Sequence, residues 1–294
     1  MGVALLFPGQ GSQGVGMGRA LYEAHRELRG LFEEAESILG MPLRQYMFEG
    51  PAEALQRTSV TQPALYLHGY AVAQARKIPA AAVAGHSLGE FTALAVAGVL
   101  SFADGLRLVK VRADSMQAAC DAHPSTMAAI IGLEDKVVED LCAEASSIGI
   151  VVPANYNSPG QLVISGELAA VEAVMERAKA AGAKLVKKLA VNGAFHSPLM
   201  ESARHNLAEA IESLSFQKPQ IPVYPNVTAT AETDPAKLKS LLIQQLTAPV
   251  RWTQTLQGMW ADGIRTFYEL GPGNVLAGLT RRTLPEAVVA SYDS

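Results

Sequence analysis

The sequence predicts an α/β protein in which a main domain carries an inserted subdomain. Two short apolar runs, residues 3–7 and 81–85, are typical of strands that are buried on both faces of a sheet. The second run passes through a turn flanked by glycines straight into a helical pattern. Residues 125–192 follow a different order of elements, a split βαββαβ arrangement. These three observations define the predicted architecture.

The main domain is predicted from residues 1–124 and 193–294. The strand at 3–7 precedes a glycine-rich loop, and the strand at 81–85 precedes a helix at 88–97. Ser101 is placed to cap the helix that follows it, because serine is a preferred N-cap residue. The remaining elements are helices at 17–39, 62–76, 103–120, 198–214 and 236–246, and strands at 223–227 and 266–270.

The inserted subdomain is predicted from residues 125–192. Its hairpin is marked by residues 157–160, Asn-Ser-Pro-Gly, and Gly182 is expected to end its second helix. The predicted strands are 127–131, 151–156, 161–165 and 184–191, and the predicted helices are 134–146 and 168–181.

The composition excludes several classes of function. With 294 residues, 49% of them hydrophobic, the chain can bury a sizeable core. Its 24 basic and 28 acidic residues give a net charge of −4, which argues against binding to nucleic acid or an anionic membrane. No apolar stretch is long enough to span a bilayer, so we expect a cytoplasmic protein, and we expect a monomer. Cys120 and Cys142 fall in predicted helices, which indicates neither a disulfide framework nor a cysteine metal site.

Residues 85–89, Gly-His-Ser-Leu-Gly, match the nucleophile elbow, in which glycines let the chain turn sharply and expose a serine. Ser87 is therefore the candidate nucleophile. The helix behind it directs free amide groups at the serine, so the backbone N–H of Leu88 could stabilise an oxyanion. The alternative is a tight strand-to-helix connection without chemistry, but the surrounding pattern favours the functional interpretation.

A serine nucleophile needs a base, and the six histidines are residues 25, 68, 86, 123, 196 and 205. His196 is the best candidate because it lies in a loop after the last strand of the subdomain, where functional residues are often presented. The side chain of His86, next to the serine, should leave the turn in another direction. The alternative for His196 is a cap of the helix that starts near Pro198, and spacing alone does not separate these two roles.

Arg112 falls on an apolar helical face together with Val109, Ala113 and Met116. A buried guanidinium needs a partner, and its two-point geometry matches a carboxylate. The alternative is an arginine that reaches solvent or pairs with a structural acid.

Residues 9–14 satisfy the pattern GxGxxG, but a dinucleotide site requires a second strand that ends in an acidic residue, and the segment after the loop is predicted to be helical. The loop could still present backbone N–H groups to an anion. The sequence contains no HExxH, Walker A, CxxC or EF-hand pattern, so no metal or nucleotide cofactor is expected.

In order along the chain, seven motifs resemble the malonyl-CoA:acyl-carrier-protein transacylase family. They are FPGQGSQ at 7–13, TQPA at 61–64, GHSLGE at 85–90, NYNSPG at 155–160, AFHS at 194–197, PVRW at 249–252 and ELGPG at 269–273. The resemblance implies an α/β-hydrolase-like main domain with a ferredoxin-like insertion.

The resemblance also implies roles for residues. Ser87 would be the nucleophile and His196 the general base, the backbone N–H groups of Gln10 and Leu88 would form the oxyanion hole, and Arg112 would hold the malonyl carboxylate. The main-chain carbonyl of Gln245 would orient the histidine. Phe195 would favour malonyl over methylmalonyl groups because its ring crowds an added methyl.

The implied reaction carries a malonyl group from malonyl-CoA to the phosphopantetheine thiol of acyl carrier protein for fatty acid synthesis, with no cofactor bound to the enzyme itself. Basic residues that cluster in the sequence are a candidate docking site for the acidic carrier: Lys184, Lys187, Lys188, Arg281 and Arg282. The alternatives are a thioesterase on the same fold, an acyltransferase serving malonate decarboxylase or polyketide assembly, and an inactive module that binds a carrier protein.

Overall fold

The computed structural model describes residues 2–294, and these residues form thirteen α-helices and eight strands in two separate sheets. The protein is thus α/β, as predicted. The strands are β1 Gly2–Phe7, β2 Ala82–Gly85, β3 Ser125–Ile131, β4 Val151–Ser158, β5 Gln161–Glu167, β6 Leu185–Lys188, β7 Ile264–Leu270 and β8 Val288–Tyr292. The helices are α1 Arg19–Ala24, α2 Arg29–Leu39, α3 Leu43–Phe48, α4 Ala52–Leu55, α5 Thr58–Arg76, α6 Gly89–Val96, α7 Phe102–Ala122, α8 Asp135–Ala145, α9 Leu168–Ala180, α10 Glu201–Glu212, α11 Pro235–Gln244, α12 Trp252–Ala261 and α13 Val275–Thr283.

The first sheet is parallel throughout, with the strand order β2-β1-β7-β8. Successive residues of β1 pack into different cores: Leu5 and Phe7 join the larger apolar cluster, whereas Ala4 and Leu6 join the cluster on the opposite face. Both faces are therefore covered by apolar side chains. This is the physical reason why the strand reads as a continuous apolar run instead of an alternating one.

The second sheet is antiparallel, with the strand order β4-β5-β3-β6, and it follows the predicted βαββαβ sequence of elements. Ala128 and Ile130 of β3 pack with α8 and α9 on one face. Met127 and Val163 on the other face form a small cluster with the half-buried Phe195. That face of the sheet consequently borders the loop that carries His196.

Several predicted boundaries differ from the structure. The helix expected at 17–39 is broken at His25, whose φ of −115° and ψ of 85° are not helical, so α1 and α2 are separated by a 3₁₀ turn at Arg26–Leu28. The expected strand at 223–227 is absent among residues 2–294 and only Val223 makes isolated bridges, because Pro225 has no N–H to donate to a ladder. The last strand of the subdomain ends at Lys188, not at residue 191.

Other elements were not predicted from the sequence: α3, α4, α12, α13 and β8. The predicted cap is confirmed, because the side chain of Ser101 accepts a hydrogen bond of 3.0 Å from the backbone N–H of Asp104. Within residues 2–294, no helix combines the length and apolar character needed to cross a membrane.

Candidate active site

Ser87 lies on the sharp turn between β2 and α6. Its φ of +52° is in the left-handed region, which few residues other than glycine adopt without support from their surroundings. The flanking glycines allow backbones to approach closely. A Cβ on Gly85 would lie 1.9 Å from the carbonyl group of Gly89, and one on Gly89 would lie 2.0 Å from the oxygen of Phe7. The glycine spacing therefore has a steric cause at this turn.

His196 faces this serine from the loop that follows β6. The Ser87 Oγ lies 2.8 Å from His196 Nε2. Nδ1 of the same ring lies 3.0 Å from the carbonyl oxygen of Gln245 and 3.1 Å from that of Ala248. Since carbonyl oxygens only accept hydrogen bonds, Nδ1 carries the proton and Nε2 is free to accept the serine proton. Two main-chain carbonyls thus orient the ring, in the position that the acid occupies in a Ser-His-Asp triad.

Burial, together with the positive charge of Arg112, lowers the pKa of His196 to about 3. The imidazole is therefore neutral at physiological pH, which is the state that a general base requires. His86, next to the serine, contacts a different group. His86 Nε2 lies 2.8 Å from Asn157 Oδ1, so its side chain does leave the turn in another direction, as predicted.

Arg112 of α7 is only 1% exposed, and its guanidinium points at the nucleophile. Nη2 donates to Ser87 Oγ over 3.0 Å, and Nη1 donates to Gln62 Oε1 over 2.8 Å. Within residues 2–294, its hydrogen-bond partners are the serine and two neutral amides, and no carboxylate lies within ion-pair distance. Burial lowers the pKa of Arg112 to about 10, so it stays charged at neutral pH. A buried cation without a direct counter-ion beside a nucleophile is suited to a substrate that carries an anion.

A polar network behind the elbow was missed by the sequence analysis. Asn226 Oδ1 accepts from the backbone N–H of Ser87 over 2.8 Å, and its Nδ2 donates to the carbonyl of Gly85 over 2.7 Å. The side chain of Gln245 donates to the carbonyl of Ser87 and to Glu90 Oε2, both over 2.9 Å. These bonds stabilise the strained turn. The only available signal was the position of Glu90 directly after the GHSLG motif, since Asn226 lies in a segment that was predicted to be a strand.

A cavity of about 110 Å³ opens above Ser87, between the two sheets. Gln10 and Leu88 both line it, and neither donates its backbone N–H to another group within residues 2–294. These two amides are thus free to bind an oxyanion. The structure brings all seven predicted site residues to this cavity or to its wall: Gln10, Ser87, Leu88, Arg112, Phe195 and His196 line it, and Gln245 contacts Ser87, Arg112 and His196.

The five basic residues of the candidate docking site are exposed. They are not equally free: Lys188 pairs with Glu172 over 3.2 Å, and Arg282 donates to Gln161 of the second sheet over 2.7 Å. Among the described residues, no group of three or more histidine, cysteine or acidic side chains could hold a metal ion.

Comparison with known proteins identifies the family. Residues 4–293 match the acyl transferase domain. The chain is 43% identical over 284 residues to the malonyl CoA-acyl carrier protein transacylase of Salmonella typhimurium, covering 95% of this chain and 92% of the relative. The Bacillus subtilis transacylase of the same name is 42% identical, with 95% and 90% covered.

Solved structures of related proteins also superimpose on nearly the whole of this chain. The acyl carrier protein S-malonyltransferase of Vibrio cholerae superimposes with a TM-score of 0.96 at 43% identity, covering 99% of this chain and 97% of that one. A malonyl-transacylase solved in complex with its type II PKS acyl-carrier protein gives a TM-score of 0.97 at 39% identity, with 100% and 96% covered. The chain therefore belongs to the acyl transferase domain family and, within it, to the malonyl-CoA:acyl-carrier-protein transacylases.

Proposed function

We propose that the protein transfers a malonyl group from malonyl-CoA to the phosphopantetheine thiol of acyl carrier protein, supplying fatty acid synthesis. The observation that carries this proposal is the buried Arg112, whose Nη2 lies 3.0 Å from Ser87 Oγ and has no carboxylate partner. A malonyl group attached to the serine would bring the missing carboxylate. The two-point contact between guanidinium and carboxylate then selects this acyl group over uncharged ones.

The first half-reaction forms a malonyl-serine ester. His196 Nε2 accepts the proton of Ser87 as Oγ attacks the thioester carbon, and the backbone N–H groups of Gln10 and Leu88 stabilise the negative oxygen that results. The C–S bond then breaks, and the histidine returns the proton to the departing sulfur of coenzyme A. Both carbonyl contacts to Nδ1 keep the ring in the tautomer that this transfer needs.

The second half-reaction reverses these steps with another thiol. The phosphopantetheine thiol of the carrier gives its proton to His196 and attacks the ester carbon, and the serine oxygen leaves with that proton. Phe195 borders the acyl group in this scheme, because it lines the same cavity as the nucleophile. Its ring leaves little room for a methyl branch on the malonyl carbon.

We further propose that residues 1–124 and 193–294 form an α/β-hydrolase-like main domain and that residues 125–192 form a ferredoxin-like subdomain. The parallel sheet with apolar clusters on both faces supports the first assignment. The antiparallel order β4-β5-β3-β6, with α8 and α9 on one face, supports the second. The active site lies between the two sheets.

The acidic carrier protein is proposed to dock on the basic residues Lys184, Lys187, Lys188, Arg281 and Arg282, with the enzyme acting as a cytoplasmic monomer. The contact of Arg282 with Gln161 supports this surface, because it joins a basic residue of α13 to the second sheet. Reversing these charges should raise the Michaelis constant for the carrier protein and leave that for malonyl-CoA unchanged. An unaltered constant for the carrier would exclude this surface.

The test of function is the intact mass of the protein after incubation with malonyl-CoA alone. We expect a malonyl adduct in the wild type that is discharged by acyl carrier protein, no adduct with Ser87→Ala, and little adduct with acetyl-CoA. Steady release of coenzyme A without an adduct would instead indicate a thioesterase. A protein that neither loads nor hydrolyses would be a carrier-binding module.

A second candidate carrier is a polyketide acyl-carrier protein, because one structurally similar malonyl-transacylase was solved in complex with such a partner. The chemistry at Ser87 would be the same with a polyketide carrier and with a carrier subunit of malonate decarboxylase. Discharge rates of the malonyl-enzyme by the three classes of carrier protein would separate these possibilities.

A further inference from the structure

The proposed mechanism leaves one buried acid of the site unused. Glu90 lies in the first turn of α6 and is only 1% exposed. Its Oε2 accepts hydrogen bonds from the backbone N–H of Asn226 over 3.0 Å and from Gln245 Nε2 over 2.9 Å. A buried carboxylate is costly unless a positive charge compensates it.

One side chain connects this acid to the substrate-facing arginine. The amide of Gln245 donates to Glu90 through Nε2 and accepts from Arg112 Nη2 through Oε1, over 3.3 Å. Glu90 and Arg112 are therefore opposite charges separated by a single bridging amide. Whenever Glu90 is ionised, the two charges balance and the buried site is electrically neutral before any substrate binds.

The other titratable groups near α6 do not disturb this balance. Among the charged groups of the described residues, Arg112 alone makes a Coulomb contribution to the pKa of Glu90. Burial lowers the pKa of His68 on α5, of His86 at the elbow and of His196 on the facing loop, so these rings are neutral near pH 7. Burial raises the pKa values of Tyr66 and Tyr70 on α5, so they are neutral as well, and β1 and β2 carry no charged side chain.

The malonyl carboxylate adds a second anion to the buried pair of charges formed by Glu90 and Arg112. Arg112 would then face two carboxylates, and the buried site would carry one uncompensated negative charge. A buried carboxyl in such a position takes up a proton instead. Building on the proposed function, we propose that Glu90 is the counter-charge of Arg112 in the free enzyme and takes up one proton from solvent when the malonyl carboxylate becomes the partner of that arginine.

The pKa of Glu90 allows this change. Burial raises this pKa to about 7, while the hydrogen bonds from Asn226 and Gln245 and the charge of Arg112 oppose that rise. A malonyl carboxylate on Arg112 weakens the opposing effect, so the pKa of Glu90 rises further in the malonyl-enzyme. Glu90 does not touch the substrate, and it acts as a positioning residue through Gln245 and Arg112.

If malonyl loading is coupled to proton uptake by Glu90, the equilibrium of loading depends on pH. Because loading consumes a proton, the equilibrium constant for malonyl transfer to Ser87 falls as pH rises between the two pKa values of Glu90. The limit is a factor of about ten per pH unit for one proton. Glu90→Gln removes this slope, since its amide oxygen can still accept both hydrogen bonds but cannot bind a proton.

The matched control is Glu269→Gln. Glu269 is also a fully buried carboxyl, but it accepts hydrogen bonds from the backbone N–H groups of Leu276 and Ala277 and does not contact the active site. Replacing it should leave the proton uptake of loading at the wild-type value.

The experiment measures the number of protons taken up during loading and, in parallel, the intact mass of the protein. Wild type, Glu90→Gln and Glu269→Gln are loaded with malonyl-CoA in buffers of different ionisation enthalpy, and calorimetry gives the protons taken up per adduct from about pH 6 to about pH 9. The thiol of released coenzyme A ionises equally in all three samples, so it cancels in the difference. Intact mass reports the extent of loading, and a thermal melt confirms that each variant is folded.

We expect uptake that changes with pH in the wild type and in Glu269→Gln, and none attributable to the protein in Glu90→Gln. Loading without this difference would overturn the inference and leave the proposed function intact. Absence of any adduct in the wild type would overturn both. Should Glu90→Gln fail to fold, the wild type decides alone, because a proton count that merely follows coenzyme A ionisation contradicts the inference.

Discussion

Replacing Asn226 with alanine should destabilise the protein and slow malonyl loading, although this residue touches no substrate in the proposed mechanism. The side chain is fully buried and makes two short hydrogen bonds to the elbow, to the N–H of Ser87 and to the carbonyl of Gly85. Alanine leaves both backbone groups buried and unpaired, at a cost of about 1–3 kcal/mol each. We therefore expect the free energy of unfolding to fall by about 2–6 kcal/mol.

Catalysis should suffer in addition because these bonds hold Ser87 at its φ of +52°. A turn that relaxes moves Oγ away from its 2.8 Å contact with His196, and displacement of a reacting atom by about 1 Å can cost about a hundredfold in rate. We expect the single-turnover rate of malonyl-enzyme formation to fall by about ten- to a hundredfold.

Denaturant unfolding gives the stability change, and quenched-flow mass measurement gives the loading rate. Asn206→Ala is the control, because Asn206 is exposed on α10 and its replacement should change the unfolding free energy by less than about 0.5 kcal/mol. If Asn226→Ala matched this control in stability and loaded within about twofold of the wild-type rate, the proposed support of the elbow would be refuted.

Three further predictions concern the site. Arg112→Ala should lower the preference for malonyl over acetyl, measured as the ratio of kcat/KM values, by about 10²–10³-fold, because a buried carboxylate loses its cation. An unchanged ratio would exclude Arg112 as the residue that binds the malonyl carboxylate. Phe195→Ala should raise kcat/KM for methylmalonyl-CoA relative to malonyl-CoA by about tenfold, since one methyl group in a tight pocket is worth about 1–3 kcal/mol, whereas an unchanged ratio would show that the ring does not select. The neutral, buried His196 should make the wild type less stable relative to His196→Gln as pH falls from 6.5 toward 3, because the unfolded chain binds a proton that the folded ring excludes. Denaturant unfolding should show a difference in slope of about 1.4 kcal/mol per pH unit between the two proteins, and parallel pH profiles would contradict the neutral state of the ring.

Local chemistry made much of the architecture predictable. The run at residues 3–7 is apolar at every position because both faces of β1 are covered, and the glycines at 85 and 89 are required by backbone contacts at the turn. Such features depend on neighbours in the chain, so the sequence displays them directly. The strand at 223–227 was predicted wrongly because Pro225 limits its pairing in a way that apolar content does not reveal.

By itself the sequence determined which side chains could do chemistry: a serine on a glycine-flanked turn, a histidine in a loop and an arginine on an apolar helix face. Tertiary structure alone decided how they are held. Asn226 contacts Ser87 across 139 positions, and the Gln245 side chain contacts the same residue across 158. Which carbonyls orient His196, and which acid balances Arg112, depends on where distant backbone segments meet in space, and no local pattern of residue types encodes that meeting point.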